Sequence, residues 1–329
     1  MKRNLLRMAM LVTVFVLPSL ARASSLSTDV IGMFPKNVGE FAYVDLKQAR
    51  SLSWFPQLKQ QMIPARFKQF EQLLTSAGVD PNSQVEELAW ALVPSGVGNS
   101  PTAVPTGEEV VGIALGTYQP DSTEAYFKAQ KLAVVKVRNF SLYAFGGGTG
   151  ASDLFFVFID SNTAAFGQRQ QLEKMIGLRF GEGEGMLSNA DLSPLILQAN
   201  GKSLVWAVMD APYSRLAMQQ LAPETAQFPQ TQQLVAKLRA LTIEFAASSG
   251  VQAHFEAVCA TPDDANTFAA LLQAGVLYQR YQVANTNPDM AAMLEQASIA
   301  PSGDRLEVRL SLTDNQVLGL IKRNTFAVQ

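Results

Sequence analysis

The chain has 329 residues, 48% hydrophobic and 16% charged, with a formal net charge of −2 at neutral pH. That length suits one large or two medium domains with cores of their own, and the mildly acidic balance offers no electrostatic footprint for nucleic acid. With one cysteine, Cys259, an intramolecular disulfide is excluded, and one histidine, His254, with that cysteine cannot alone build a transition-metal site.

Residues 1–23 read as a cleavable secretory signal. Lys2, Arg3 and Arg7 form a basic start, and Met8 to Pro18 is an apolar run. That run is too short to span a bilayer, which takes roughly 20 residues as a helix. Ala21-Arg22-Ala23 offers small residues to a signal peptidase, so the expected cut lies between Ala23 and Ser24. No cysteine follows the apolar run, and lipid anchoring at that point is not expected. Without residues 1–23, which carry Lys2, Arg3, Arg7 and Arg22 and no acid, 22 basic residues face 28 acidic ones, a net charge of −6. Basic clusters that hold proteins to anionic lipid are missing. No later segment approaches 18 uninterrupted apolar residues, so no transmembrane anchor is expected after cleavage. The implied location is periplasmic or extracellular.

Two similar units are expected to follow, residues 24–200 and 201–329. The first opens on FAYVDLKQAR (Phe41 to Arg50) and the second on WAVMDAPYSR (Trp206 to Arg215). Aligned without a gap, Ala42 meets Ala207, Asp45 meets Asp210 and Arg50 meets Arg215. Each reads as an apolar strand, an Asp that caps, and the start of a helix. Two more strands follow in each unit, VEELAWALVP then GIALG, and LRALTIEFAAS then HFEAVCA. Pro120-Asp121 and Pro262-Asp263 then stop the last strand and cap a helix. In the first unit Phe67, Phe70, Leu73, Leu74 and Ala77 fall on one helix face. SGVGNSPTAVPTGEE (Ser95 to Glu109) reads as a long exposed turn. Between the units, apolar strands flank Gly146-Gly147-Gly148-Thr149-Gly150 as a hairpin, AFGQRQQLEKMIGL reads as a helix, and GEGEG (Gly181 to Gly185) as a flexible loop. Near the end Leu306, Val308, Leu310 and Leu312 alternate with Arg305, Glu307, Arg309 and Ser311, a strand with one wet face. The fold class is α+β: two similar units of antiparallel sheet with helices packed on one face.

The chemistry-bearing residues point away from a catalytic centre. GGGTG lacks the Lys and hydroxyl that end a phosphate loop, and phosphate would be repelled by the acids of GEGEG. His254 and Cys259 lie five apart on a strand and face opposite ways, which removes a local dyad. Cys259 reads as a buried structural thiol. No nucleophile elbow positions a serine. Asp45, Asp121, Asp160, Asp210 and Asp263 close apolar strands, where capping and turns explain them; a carboxylate-dependent hydrolase is the alternative they leave open. Trp54, Trp90 and Trp206, with Phe55, Phe67 and Phe70, read as core, or else as the lining of an apolar groove. No catalytic, cofactor-binding or metal residues are assigned.

GVDPNSQVEELAWAL (Gly78 to Leu92), the strand before Pro120, LFFVFIDSNTAAFGQRQQLEKMI, MLSNADLSPLI and LVWAVMD together resemble a group of uncharacterised exported bacterial proteins with a duplicated α+β domain of unknown function. In that group a Gly-x-Asp-Pro turn leads into a strand, and a Ser-Leu-x-x-Asn-like helix start precedes the second copy. Here that start is Met186-Leu187-Ser188-Asn189, with Met in place of Ser. The resemblance covers most of the chain after the signal. It implies fold and export, and carries over no catalytic residue. The expected role is non-enzymatic binding or scaffolding at the bacterial cell envelope, with an apolar ligand or an envelope protein as partner and no cofactor.

Overall fold

A computed structural model describes residues 24–62, 65–98, 103–145, 152–221, 229–247 and 250–322, together with Ser100, Gly148 and Gly150. The expected signal, residues 1–23, lies outside the described residues, as do Gly146, Gly147 and Thr149 of the Gly-rich segment and the side chains of Phe67 and Phe70. The first half of the chain runs α1 (Thr28–Gly32), β1 (Glu40–Asp45), α2 (Leu46–Ala49), α3 (Phe55–Met62), α4 (Ala65–Ser76), α5 (Pro81–Gln84), β2 (Val85–Val97), β3 (Pro105–Gly116), α6 (Pro120–Ala129), β4 (Val134–Val137), β5 (Phe140–Phe145), β6 (Leu154–Phe158), β7 (Thr163–Gln168), α7 (Arg169–Arg179), a 3-10 turn (Met186–Ser188) and α8 (Ser193–Ala199). The second runs β8 (Val205–Asp210), α9 (Ala211–Leu221), α10 (Pro229–Val235), β9 (Leu238–Ala247), β10 (Val251–Cys259), α11 (Pro262–Val283), α12 (Pro288–Glu295), β11 (Ser298–Ser302), β12 (Arg305–Leu312) and α13 (Asp314–Lys322).

Among the described residues the strands form one antiparallel sheet of twelve, in the order β11-β12-β10-β9-β8-β1-β2-β3-β7-β6-β5-β4. The α+β class expected from the sequence holds, and both halves share this sheet. They meet edge to edge where β1 pairs with β8, with Phe41 opposite Val208, Ala42 opposite Ala207 and Tyr43 opposite Trp206. Outward from that junction the order is β1-β2-β3 on one side and β8-β9-β10 on the other. In each half a helix beginning with proline follows the third of these strands.

Directly paired residues of antiparallel strands share a face, so Phe41, Tyr43, Trp206 and Val208 define a front face. The main core lies there, where Ile31 of α1, Leu172 and Met175 of α7 and Ile196 of α8 pack on Phe41, Ile113, Leu142, Phe155 and Trp206. On the back, Leu74 and Phe127 of α4 and α6 cover the first half. Tyr213 of α9, Phe268 of α11 and Val317 of α13 belong to separate clusters on the second half. Back-face helices in both halves accord with the expected packing; the first half adds helices in front. That addition explains β6, LFFVF, which is buried at every position, because a strand covered on both faces has no reason to alternate. β12 alternates as expected, with Leu306 buried and Arg309 and Ser311 exposed.

Several local expectations are corrected. β2 and β3 continue well into Ser95–Glu109, paired through Gly96 and Val97, with register shifts between Pro94 and Gly96 and between Gly96 and Val97. Ala165 to Gln168 end strand β7, and the helix starts only at Arg169. Asp121 and Asp263 are not the caps of their helices but lie in the first turn, where a carboxylate complements the helix dipole. The cap of α11 is Thr261: its Oγ1 accepts from Asp264 N at 3.2 Å and donates to Asp264 Oδ2 at 2.7 Å. The tryptophans line no common groove. Trp206 is in the front core, and Trp54 is in a back cluster with its Nε1 donating to Asp314 Oδ1 at 3.1 Å.

Candidate functional site

The densest polar cluster lies on the front face at the end of β1. Alternation puts Tyr43 and Asp45 on that face, and register sets Glu87 of β2 opposite Asp45. Asp45, 2% exposed, caps α2 by accepting from Gln48 N at 2.8 Å through Oδ1. Its Oδ2 accepts from Ser24 Oγ at 3.0 Å and from Ser24 N at 3.3 Å. Ser24 Oγ lies 2.6 Å from the Tyr43 hydroxyl, which donates to Glu87 Oε2 at 2.9 Å. Burial, aided by Glu87 and Asp45, raises the Tyr43 pKa far above its ordinary range, so the hydroxyl keeps its proton. The chain reaches this cluster along a fixed path. Asn200 pairs with the backbone of Leu26 in both directions at 2.9 Å, and Ser27 caps α1.

A second acidic cluster forms at the opposite end of β1. Burial, with Glu108 adding repulsion, pushes the Glu40 carboxyl up to about 7. Burial also raises Asp210 to about 6; hydrogen bonding from Tyr213 N at 3.0 Å and the nearby Arg215 oppose the rise. The Tyr213 hydroxyl is buried without a hydrogen-bond partner, and burial together with Glu108, Glu40 and Asp210 raises its pKa. This cluster yields a pH prediction. Glu40 binds its proton more tightly folded than unfolded, so its contribution to stability is complete below about pH 4.5 and is lost as pH rises toward 7. Glu40→Gln is expected to stabilise the protein by about 1–3 kcal/mol at pH 8 and hardly at all at pH 4.5. Urea denaturation at both pH values checks this; an equal effect at both would contradict it.

Beyond β9 the front face carries polar residues. Glu244, His254 and Arg309 stand in one row across β9, β10 and β12. His254 Nε2 is buried without a hydrogen-bond partner and lies 3.8 Å from Glu307 Oε2. Arg305 pairs with Glu256, and Ser203 Oγ donates to Glu244 Oε2 at 3.0 Å. Elsewhere on the front, an open pocket of about 1030 Å³ is lined by Lys36, Lys174, Glu182, Glu184, Asn189 and Asp191, among others. The GEGEG loop forms one wall. Gly181 and Gly183 take φ of +80° and +83°, and its acids are ion-paired, Glu182 with Arg138 and Glu184 with Lys36 at 2.8 Å. The Lys36 hydrogen bond holds the Glu184 carboxyl below its ordinary range.

The residues weighed from sequence do not converge. Asp45 and Asp210 end adjacent antiparallel strands at opposite ends, six residues apart along the strand, or roughly 20 Å. Asp160 accepts from Asn162 N at 2.9 Å in a turn. Cys259 is fully buried on the back face, and burial pushes its thiol up to about 11, with Asp264 and Asp304 adding to the effect. A thiol so protonated is a poor nucleophile. Among the described residues no three His, Cys, Asp or Glu side chains are placed to hold a metal ion, and no helix is long and apolar enough to cross a membrane. Sequence reasoning missed Tyr43, Glu87, Glu40 and Glu108. The available signal was alternation, which sets Tyr43 on the face of Asp45; the register of β2 was needed for the rest.

No known protein-family model and no curated protein matches the chain. Among solved structures it is similar to TP0453. Crystal form IV of that protein aligns over 90% of this chain and 97% of its own, with a TM-score of 0.51 and 12% identity. Crystal form I aligns over 92% and 100%, with a TM-score of 0.49 and 12% identity. The form IV likeness shows the fold.

Proposed function

We propose that this chain is an exported protein of the bacterial envelope, cut between Ala23 and Ser24, that works in the periplasm or outside the cell by binding or scaffolding. In this reading it consists of two copies of one unit, residues 24–200 and 201–329, joined through β1 and β8. The mirrored strand order supports the two copies, as does the register that sets Ala42 opposite its own counterpart Ala207.

The observation that carries the binding role is the outer half of α11. Its first turns are buried through Ala265, Phe268 and Ala269. Farther along, Leu271 (44%), Leu277 (68%), Tyr278 (65%) and Tyr281 (81%) are exposed. Leu277 and Tyr281 are four residues apart and so adjacent on the helix surface, and Leu271 and Tyr278 share a face two turns apart. Clustered large apolar side chains at a surface mark an interaction site, and the occupant we propose for them is an envelope protein. A photo-crosslinking residue placed at position 277 or 281 of the exported protein is expected to give a discrete protein adduct in cells. Position 252 on the polar sheet face should give none. Leu277→Lys with Tyr281→Lys should abolish an adduct formed at 278 while changing stability by less than about 1 kcal/mol. Equal adducts at 252 and 281, or none at 277, 278 and 281, would contradict the assignment.

A further inference from the structure

We infer that the α-ammonium group freed at Ser24 by cleavage is itself a structural ion, seated against the buried carboxylate of Asp45 and closing the acidic nest of Asp45, Glu87 and Tyr43. The inference rests on the proposed cut between Ala23 and Ser24.

Two observations carry it. First, the nitrogen of Ser24 already lies 3.3 Å from Asp45 Oδ2, within reach of a charge-assisted hydrogen bond. Second, the nest holds two carboxylates, one of them 2% exposed, yet among the described residues no Lys, Arg or His side chain pairs with either. Buried acids without a cation are costly. The ammonium also places up to three N–H donors where a peptide nitrogen offers one, beside a carboxylate that already accepts from Ser24 Oγ and Gln48 N.

The neighbouring segment holds the terminus in place. Asn200 binds the backbone of Leu26 on both sides, and Gly201, at φ +80°, passes Ser25 so closely that a Cβ there would lie 3.2 Å from the Ser25 Cβ. The titratable groups in contact with Ser24 are Tyr43 and Asp45 of β1, and Glu87 of β2 stands next to them through Tyr43. The α8 side presents the neutral Asn200 and Gly201. Cleavage then does more than release the chain: it creates the cation that the folded body requires at this point.

The test uses protein beginning at Ser24, compared with the same protein acetylated at that amine and with a chain carrying Gly-Ala before Ser24. Asp45→Asn keeps the cap of α2, because asparagine also accepts from Gln48 N, and it removes the charge. The α-amino group, labelled by reductive methylation and followed by NMR, is expected to titrate above about pH 9, against an ordinary value near 7.7–8.0. Acetylation and extension should each lower Tm by several degrees in the parent and by far less in Asp45→Asn. An α-amino group that titrates at its ordinary value overturns the inference. So does an acetylation effect of the same size in both backgrounds. Export with a start other than Ser24 would sink the cleavage reading instead, a result obtained by sequencing and independent of these titrations.

Discussion

Trp206→Ala is expected to lower the unfolding free energy by about 3–5 kcal/mol. Trp206 is fully buried at the seam between the halves. Its ring stacks on Phe41 at 5.6 Å with an interplanar angle of 17°, and on Tyr43 at 5.5 Å with an angle of 24°. Truncation would leave a void lined by sheet residues that are fixed by pairing on both sides and cannot collapse into it. Its indole nitrogen makes no hydrogen bond, so the loss comes from packing alone. Trp206→Phe should therefore cost much less, about 1–2 kcal/mol, because a phenyl ring retains part of the stack. Urea denaturation of the two variants measures both. If alanine and phenylalanine cost the same, the stack is not what holds the seam.

Gly167→Ala is expected to cost about 3 kcal/mol or more, the sum of backbone strain and overpacking. Gly167 has φ +151° within β7, between Val111 of β3 and Phe155 of β6. A Cβ there would lie 2.4 Å from the Val110 carbonyl oxygen and 2.9 Å from Val111 Cα. Those are backbone atoms of a central strand, held by the ladder, so neither can step aside. Gly181 is the comparison: its φ is +80° and nothing lies within 4 Å of a Cβ there. Gly181→Ala should cost only the conformational part, about 1–2 kcal/mol. Thermal unfolding of the pair separates clash from strain, and equal losses would show that the sheet yields at Val110.

What the sequence disclosed depended on how local the cause was. The wet and dry faces of β12 are visible because a one-sided strand writes its environment as alternation. The apolar run of β6 is also visible, though not its second layer of helices. β7 was hidden because Ala165, Gln168 and the residues after them favour a helix, and only pairing to β3 and β6 makes Thr163–Gln168 extended. Asp45 and Asp210 were legible as caps, since a cap is made by neighbours three residues away. Their wider surroundings were not. Tyr43 meets Glu87 across 44 residues, and Leu26 meets Asn200 across 174, through the register of a sheet that no single segment specifies. The raised pKa of Glu40 likewise comes first from burial and then from Glu108, which the path from β1 through β2 to β3 brings near.

The proposed export ties these parts together, for under it the acidic nest would gain its cation and α11 would meet a partner in the envelope. The most direct measurement is the intact mass of the protein recovered from the periplasm and medium of bacteria that express all 329 residues. The predicted result is a single species with the mass of residues 24–329 and serine at its N-terminus. A chain that keeps residues 1–23, or that is cut at another bond, would contradict the account.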